Sequence, residues 1–265
     1  MSKKFIYSVA DTKGNVVIPF DAGYDSIEPF GDWLKVGKGK CFGLVNEKGE
    51  TVLPCEYEKF SHIHAGIYYF SKNNKTGILD KNKGKIVAQC EYDKVQPIWD
   101  YSEGYTHFIV EKDNKLGLID IDGNVIVPCE CSEIYQYDGS GVFVFTKEDG
   151  TMGAYFARLK ESIPFGKYFI SCDPLRQAPD SDEVLLTLLE HHGEDTMYRY
   201  YYIAGLGGRD ANGKEMLKNG FNLSDEKDRD LEDKYREELI KYARNVKQYK
   251  HNKKFSFDDD GGMGV

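Results

Sequence analysis

The sequence contains no apolar run approaching the ~18 residues that a membrane-crossing helix needs. Its opening, MSKKFIYSVADTKG, has two lysines but only a short apolar patch before Asp11, so no secretory leader is expected. A cytoplasmic location is the expectation. The chain also lacks an excess of positive charge: 35 Lys+Arg stand against 44 Asp+Glu, a formal charge of −9. Residues 1–157 carry a net of −6 and residues 158–265 a net of −3. Nonspecific binding to DNA, RNA or anionic lipid is driven by a positive face, so it is excluded as the main activity. An acidic surface suits a protein partner with a basic patch. Cysteines number six, and a chain of 265 residues can build a core without a disulfide framework. No second cysteine pair with zinc spacing accompanies Cys129-Glu130-Cys131, and no serine or cysteine elbow accompanies the histidines.

What is abundant is tyrosine, at 19, and glycine, at 27. Tyrosine favours strands and glycine favours turns, so many short strands joined tightly are expected. Three segments superimpose: FGLVNEKGETVLPCEYEKF (Phe42 to Phe60), TGILDKNKGKIVAQCEYDKV (Thr76 to Val95) and LGLIDIDGNVIVPCECSEI (Leu116 to Ile134). A degenerate copy precedes them, Tyr7 to Ile27, and a truncated one follows at Met152 to Phe156. The opening glycines Gly43, Gly77, Gly117 and Gly153 are separated by 34, 40 and 36 residues. The turn glycines Gly14, Gly49, Gly84 and Gly123 are separated by 35, 35 and 39. Such a period marks an array of supersecondary units, none of which buries its apolar face alone.

Each unit reads as a hairpin. An aliphatic pair (Leu44-Val45, Leu118-Ile119) ends one strand, and Asp or Asn opens a turn that Gly closes. An aliphatic strand returns to proline (Pro54, Pro128), which cannot donate to a ladder. Tyr24-Asp25, Tyr57-Glu58 and Tyr92-Asp93 follow, and a third strand leads to the next unit. This pattern resembles the WG-repeat family of bacterial β-repeat proteins over residues 5–157. The position before each opening glycine is Phe42, Thr76, Leu116 or Met152 rather than the tryptophan that gives the family its name. The resemblance implies a binding scaffold without a shared catalytic residue.

Candidates for chemistry have plainer readings. Cys55, Cys90 and Cys129 recur at one repeat position and are expected to fill equivalent small buried slots rather than to bind metal. Asp120-Ile121-Asp122-Gly123 has its Gly directly after the second Asp, and its equivalents carry lysine, which is turn chemistry rather than a calcium loop. His62-Ile63-His64 places two imidazoles on one strand face, half of a metal site. His191-His192-Gly193 reads as the end of a helix over 182–192 capped by Ser181. The segment Gly205 to Lys214 follows a strand and resembles a phosphate loop up to Lys214, but Glu215 stands where Ser or Thr should hold Mg²⁺. A flexible turn is the default there.

After the repeats, a smaller α+β module is expected over 158–252. Its long helix at 225–250 has Ser224 as candidate cap and an apolar stripe of Leu231, Tyr235, Leu239, Tyr242, Val246 and Tyr249. Lys241, Arg244, Lys247 and Lys250 form a basic stripe that either is solvated or docks a partner. Residues 253–265 are too polar and glycine-rich to fold.

The reading is a mainly β chain: a tandem β-hairpin array of about four units at 5–157, then the α+β module, then a tail. No cofactor, metal or catalytic residue is expected. The expected function is noncatalytic binding of a protein with a basic surface, in an immunity- or inhibitor-type role. Specificity is expected in loops 61–66, 96–105 and 135–140, with Trp99, Tyr101, Tyr105, Tyr135 and Tyr137 as anchors and Asp100, Glu103 and Asp138 as acidic neighbours. The alternatives are a nucleotide-binding enzyme using 205–214 and a nucleic-acid accessory using the basic stripe 241–254.

Overall fold

The computed structural model describes the backbone of residues 7–100, 104–137, 141–173, 185–205, 207–210 and 212–255. Side chains are described throughout these ranges except at 100, 104–105, 172–173 and 242–255. The chain divides into two compact units, Met1–Glu130 and Cys131–Val265. Among the described residues no helix is long and apolar enough to cross a membrane.

The first unit opens with a two-stranded ribbon, β1 (Val9–Ala10) and β2 (Val16–Ile18). Three four-stranded antiparallel meanders follow. The first sheet is β3 (Ser26–Phe30), β4 (Trp33–Lys38), β5 (Cys41–Val45) and β6 (Thr51–Tyr57). The second is β7 (Lys59–His64), β8 (Ile67–Lys72), β9 (Lys75–Asp80) and β10 (Lys85–Tyr92). The third is β11 (Lys94–Asp100), β12 (Gly104–Lys112), β13 (Lys115–Asp120) and β14 (Val125–Cys131).

Each inner strand is apolar at consecutive positions because both of its faces are covered. Along β8, Phe70 and Tyr68 face the core shared with the first sheet, built on Trp33, Phe42, Leu44 and Leu53. Ile67 and Tyr69 face the core shared with the third sheet, built on Phe108, Val110 and Ile119. The ribbon covers the first sheet's other face through Ile18, Val36 and Val45.

The repeat glycines and prolines have one joint cause. Leu44 pairs with Leu53 and Phe42 with Tyr57, so two extra residues of β6 bulge against Gly43. A Cβ at Gly43 would lie 2.5 Å from the Leu53 carbonyl oxygen, and one at Gly117 would lie 2.8 Å from that of Val127. Only glycine admits the bulged strand so close. The turns between third and fourth strands are closed by side chains: Asn46 Oδ1 accepts the N–H of Lys48 at 3.0 Å and of Glu50 at 2.9 Å. Asp120 does the same for Asp122 and Asn124. This is turn chemistry, as expected.

The second unit holds a fourth sheet, β15 (Glu133–Tyr137), β16 (Val142–Thr146), β17 (Met152–Phe156) and β18 (Glu161–Gly166). A fifth sheet has β19 (Phe169–Asp173), β20 (Leu185–His192), β21 (Thr196–Ile203) and β22 (Phe221–Asn222). A 30-residue helix, α1 (Glu226–Phe255), ends the described chain. The fifth sheet is covered on both faces. Ile170, Leu186, Leu188 and Tyr202 meet the fourth sheet, while Leu185, Tyr201 and Ile203 meet Tyr235 and Leu239 of α1.

Several expectations are corrected here. Each unit has four strands, not three, because the segment after Tyr57, Tyr92 or Cys131 is itself an edge strand. The expected loops 61–66, 96–105 and 135–140 are therefore largely the ends of β7, β11 and β15 and the start of β12, with 101–103 and 138–140 outside the described residues. The last copy is not truncated: β18 completes it, with Pro164 and Phe165 where Pro54 and Cys55 stand. The expected domain edge at 157/158 falls between β17 and β18 of one sheet. The expected helix over 182–192 is strand from Leu185 onward, with 182–184 and the Ser181 cap outside the described residues. Its four leucines around a buried Thr187, Leu185 to Leu189, suit a central strand covered on both faces, not an amphipathic helix.

The long helix is present, and of the expected stripe Tyr235 and Leu239 face inward while Leu231 does not. Leu231 is 56% exposed, while Glu232, Tyr235 and Leu239 face inward, Glu232 at 3%. Its carboxylate accepts from Arg199 Nη1 at 3.0 Å and from the Tyr201 hydroxyl. The cap is Asp225, whose Oδ1 accepts the Lys227 N–H at 2.8 Å; the Ser224 hydroxyl donates to the Asp195 carbonyl instead. The helix continues to Phe255, three residues into the expected tail, and 256–265 lie outside the described residues.

Candidate functional site

The first unit carries a row of aromatic side chains that its cores only partly absorb. Phe30, at the end of β3, lies 5.0 Å from Phe60 and 4.8 Å from Tyr68 between ring centroids. Phe60 and Tyr68 stack at 5.0 Å, and the His62 ring rests 4.8 Å from Tyr68. Lys81 Nζ sits over Phe30 at 5.7 Å and Trp33 at 5.3 Å and pairs with Asp32. A bulge between His62 and His64 then turns the strand, and His64 meets Trp99 of β11 edge-on at 5.3 Å. The two imidazoles therefore attend different neighbours, Tyr68 and Trp99, which corrects the expectation that they share a face. Both histidines are exposed, and Trp99 is 43% exposed.

In the second unit, Tyr135 and Tyr137 lie on β15, with rings edge-on at 4.9 Å and Tyr135 60% exposed. Aromatic groups thus stand on the first, edge strand of each of the first four sheets. Of the other anchors expected from the sequence, Tyr105 is the second residue of β12 and Asp100 ends β11, but their side chains are outside the description. Tyr101, Glu103 and Asp138 lie outside the described residues. Lys241 is exposed and 3.8 Å from Glu237; the side chains of Arg244, Lys247 and Lys250 are outside the description. Sequence reasoning missed Phe30, Phe60 and Tyr68. The available signal was the alternation Phe60, His62, His64, which a strand places toward one side until a bulge intervenes.

The groups read as candidates for chemistry are engaged in the fold. Cys55, Cys90 and Cys129 are half-buried, and each thiol approaches a carbonyl oxygen of its sheet's second strand: Val36 at 3.6 Å, Phe70 at 3.4 Å and Val110 at 3.9 Å. Those acceptors are the residues paired with Gly43, Gly77 and Gly117, so the thiol reaches past a strand that has no side chain there. Burial pushes all three thiols up in pKa, away from the reactive thiolate. Among the described residues no group of three or more His, Cys, Asp or Glu could hold a metal ion.

Several described amides of the glycine-rich segment 205–214 are engaged within the protein. Asp210 Oδ1 accepts the N–H groups of Asn212 and Lys214 at 2.9 Å each, and the Gly213 N–H donates to the Asp210 carbonyl at 2.9 Å. The Gly205 N–H donates to Glu161 Oε2 at 3.0 Å. A phosphate cradle needs such amides pointing at the ligand. Here two carboxylates already hold them, and 210–214 is the repeat turn met again at Asp11–Asn15 and Asn46–Glu50.

Tandem four-stranded meanders that cover one another face to face define a β-repeat protein. The family model described as a WG containing repeat matches residues 7–32, 42–75, 77–115 and 117–150, about half of the chain, and the chain belongs to that family. No curated protein matches it. Solved structures similar to it include the computationally designed Ika4 protein, at 10% identity and TM-score 0.23, covering 49% of this chain and 88% of that one. Hsv2 of Kluyveromyces lactis is 10% identical at TM-score 0.27, over 64% of this chain and 57% of that one. The WD40 domain of Toxoplasma gondii coronin is 13% identical at TM-score 0.27, over 65% and 53%. The chain spans little more than half the length of the last two, and likenesses this low say nothing of what it binds.

Proposed function

We propose that this chain is a noncatalytic binding module and that a protein partner docks on the aromatic row of its first unit, with Trp99 as the anchor. The observation that carries this reading is Trp99 itself, a large indole 43% exposed on an edge strand and braced edge-on by His64. A braced aromatic loses little side-chain entropy on docking, which is why tryptophan and tyrosine dominate binding hot spots. The net charge of −9 supports a partner with a basic surface, and an immunity- or inhibitor-type role is the finer form of this proposal. The engaged amides of 205–214 weigh against the nucleotide-binding alternative.

The test uses the intact chain as bait, with Trp99→Ala as the comparison bait. A partner retained by the first and lost by the second, then rebuilt from purified components, supports the reading. Faster association at low salt is expected, since an acidic module steers a basic partner. ATP and GTP are expected to leave the melting temperature unchanged. A saturable rise that Lys214→Ala abolishes would move the function to the second unit.

A further inference from the structure

Along β5 the side chains of Cys41, Gly43 and Val45 share one face, because alternate residues of a strand point the same way. The β4–β5 register runs unbroken from Leu34–Val45 to Lys38–Cys41, so that alternation holds. The bulge of β6 lies over the same face: a Cβ on Gly43 would stand 2.8 Å from the Cys55 nitrogen. Cys55 therefore lies beside Cys41. Its S–H reaches the Cys41 carbonyl oxygen at 3.3 Å, closer than the Val36 oxygen at 3.6 Å. Both thiols are free and half-buried. Val36 and Val45 pack with Ile18 on this face, whereas Phe30 of the aromatic row packs with Phe42 and Leu44 on the other.

Comparison of the repeats shows that this meeting of thiols is particular to the first sheet. Two positions before the opening glycine stand Cys41, Lys75 and Lys115, paired with Lys38, Lys72 and Lys112 of the second strands. Cys90 and Cys129 thus have a lysine where Cys55 has a second cysteine. The repeat slot calls for one small group, and all three sheets supply it. It gives no reason for Cys41. The two thiols also differ in access. Cys41 follows the exposed Lys38-Gly39-Lys40 turn. Cys55 sits in the bulge, where burial first and the neighbouring Cys41 second push its thiol above the ordinary cysteine range.

We propose that Cys41 and Cys55 form a redox modification site, which hydrogen peroxide converts from two thiols to a disulfide. Cys41, the more accessible thiol, reacts first. Its sulfur attacks one peroxide oxygen, the O–O bond breaks, and the other oxygen leaves with the thiol proton as water. Cys41 is then a sulfenic acid. The Cys55 sulfur attacks the Cys41 sulfur, the S–O bond breaks, and the hydroxide leaves with the Cys55 proton as a second water. Two thiols are oxidised by two electrons in all, and one peroxide is reduced. The Cys55 sulfur already meets the backbone of Cys41, so the bond requires side-chain rotation rather than movement of a strand.

The full chain is treated with hydrogen peroxide, capped with N-ethylmaleimide and digested without reduction for mass spectrometry. A peptide linking Cys41 to Cys55 is the expected main product. The same treatment in urea is expected to scatter links among the six cysteines, since the fold no longer selects a pair. In Cys55→Ser, dimedone traps Cys41 as its sulfenic acid; in Cys41→Ser, dimedone leaves Cys55 unlabelled. A further arm leaves the chain unaltered: phenylarsine oxide, which bridges two adjacent thiols, protects Cys41 and Cys55 together from maleimide and leaves the labelling of Cys90 unchanged. The proposal is overturned if the native chain gives no Cys41–Cys55 link, or gives it no more selectively than the chain in urea. Failure of the arsenical to protect the two thiols overturns it as well, and dimedone on Cys55 but not on Cys41 overturns the order of attack.

Discussion

At the scale of the residue, the repeat rests on a few positions where one atom decides. Gly43 is tight because the Leu53 carbonyl would stand 2.5 Å from any Cβ, whereas at Gly153 the nearest approach, to the Ile163 carbonyl, is 3.1 Å. Both glycines have ordinary negative φ, so the demand is for space rather than backbone freedom. Gly43→Ala is expected to cost about 1–3 kcal/mol, the usual range for overpacking a core, and Gly153→Ala clearly less. Urea unfolding of the two variants measures this, and equal costs would contradict the bulge explanation. At 55, 90 and 129 the recurring cysteine is a small polarizable group that approaches the second-strand carbonyl; in the fourth sheet Phe165 stands in that place.

At the scale of the element, the turns were legible in the sequence and several strands were not. Asp11, Asn46, Asp120 and Gly14, Gly49, Gly123 announce their turns because Asx side chains and positive φ are local requirements. The edge strand β7 was read in part as a loop because its residues alternate exposed and half-buried and include Ser61, His62 and His64. β20 reads as a helix from sequence because four leucines around Thr187 leave the period undecided until both covering faces are known. The inward face of α1 departs from the expected stripe at its first position, where Glu232 rather than Leu231 turns inward. Glu232 is buried to meet Arg199 and Tyr201, partners 33 and 31 residues away that no local pattern reveals.

That packing makes the fifth sheet and its surroundings sensitive to alkali. Burial, reinforced by nearby carboxylates, pushes Tyr168, Tyr200, Tyr202 and Tyr235 up to about 12, with the Glu190 charge beside the first two, Glu161 beside Tyr202 and Asp210 beside Tyr235. Tyr201 is pushed up by burial and by its bond to Glu232. In the unfolded chain these phenols titrate near 10. A folded pKa raised above the unfolded one gives stability that is complete below about pH 10 and is lost as pH rises toward 12. The melting temperature is therefore expected to hold up to about pH 10 and fall above it. Tyrosinate absorbance should develop in two phases, the later one accompanying unfolding. Titration of every tyrosine near 10 with the fold intact would contradict this packing.

At the scale of the whole molecule, the family and the mainly β architecture were legible because a repeat states its pattern several times. The surface was only partly so. Trp99, Tyr135 and Tyr137 were visible as large aromatics beyond the needs of the repeat, and Trp99 and Tyr135 are exposed. The rest of the aromatic row is not legible in the sequence, since His64 reaches Trp99 only through a bulge and Phe30, Phe60 and Tyr68 gather from separate strands. The net acidity gives no address on the surface. The most direct measurement of the central claim is the Kd of the purified complex for the intact chain and for Trp99→Ala, with melting temperatures recorded alongside. Loss of an anchor of this kind costs about 2 kcal/mol or more, so affinity should fall by roughly thirtyfold with the melting temperature unchanged. An unchanged Kd in a folded Trp99→Ala variant would contradict the account.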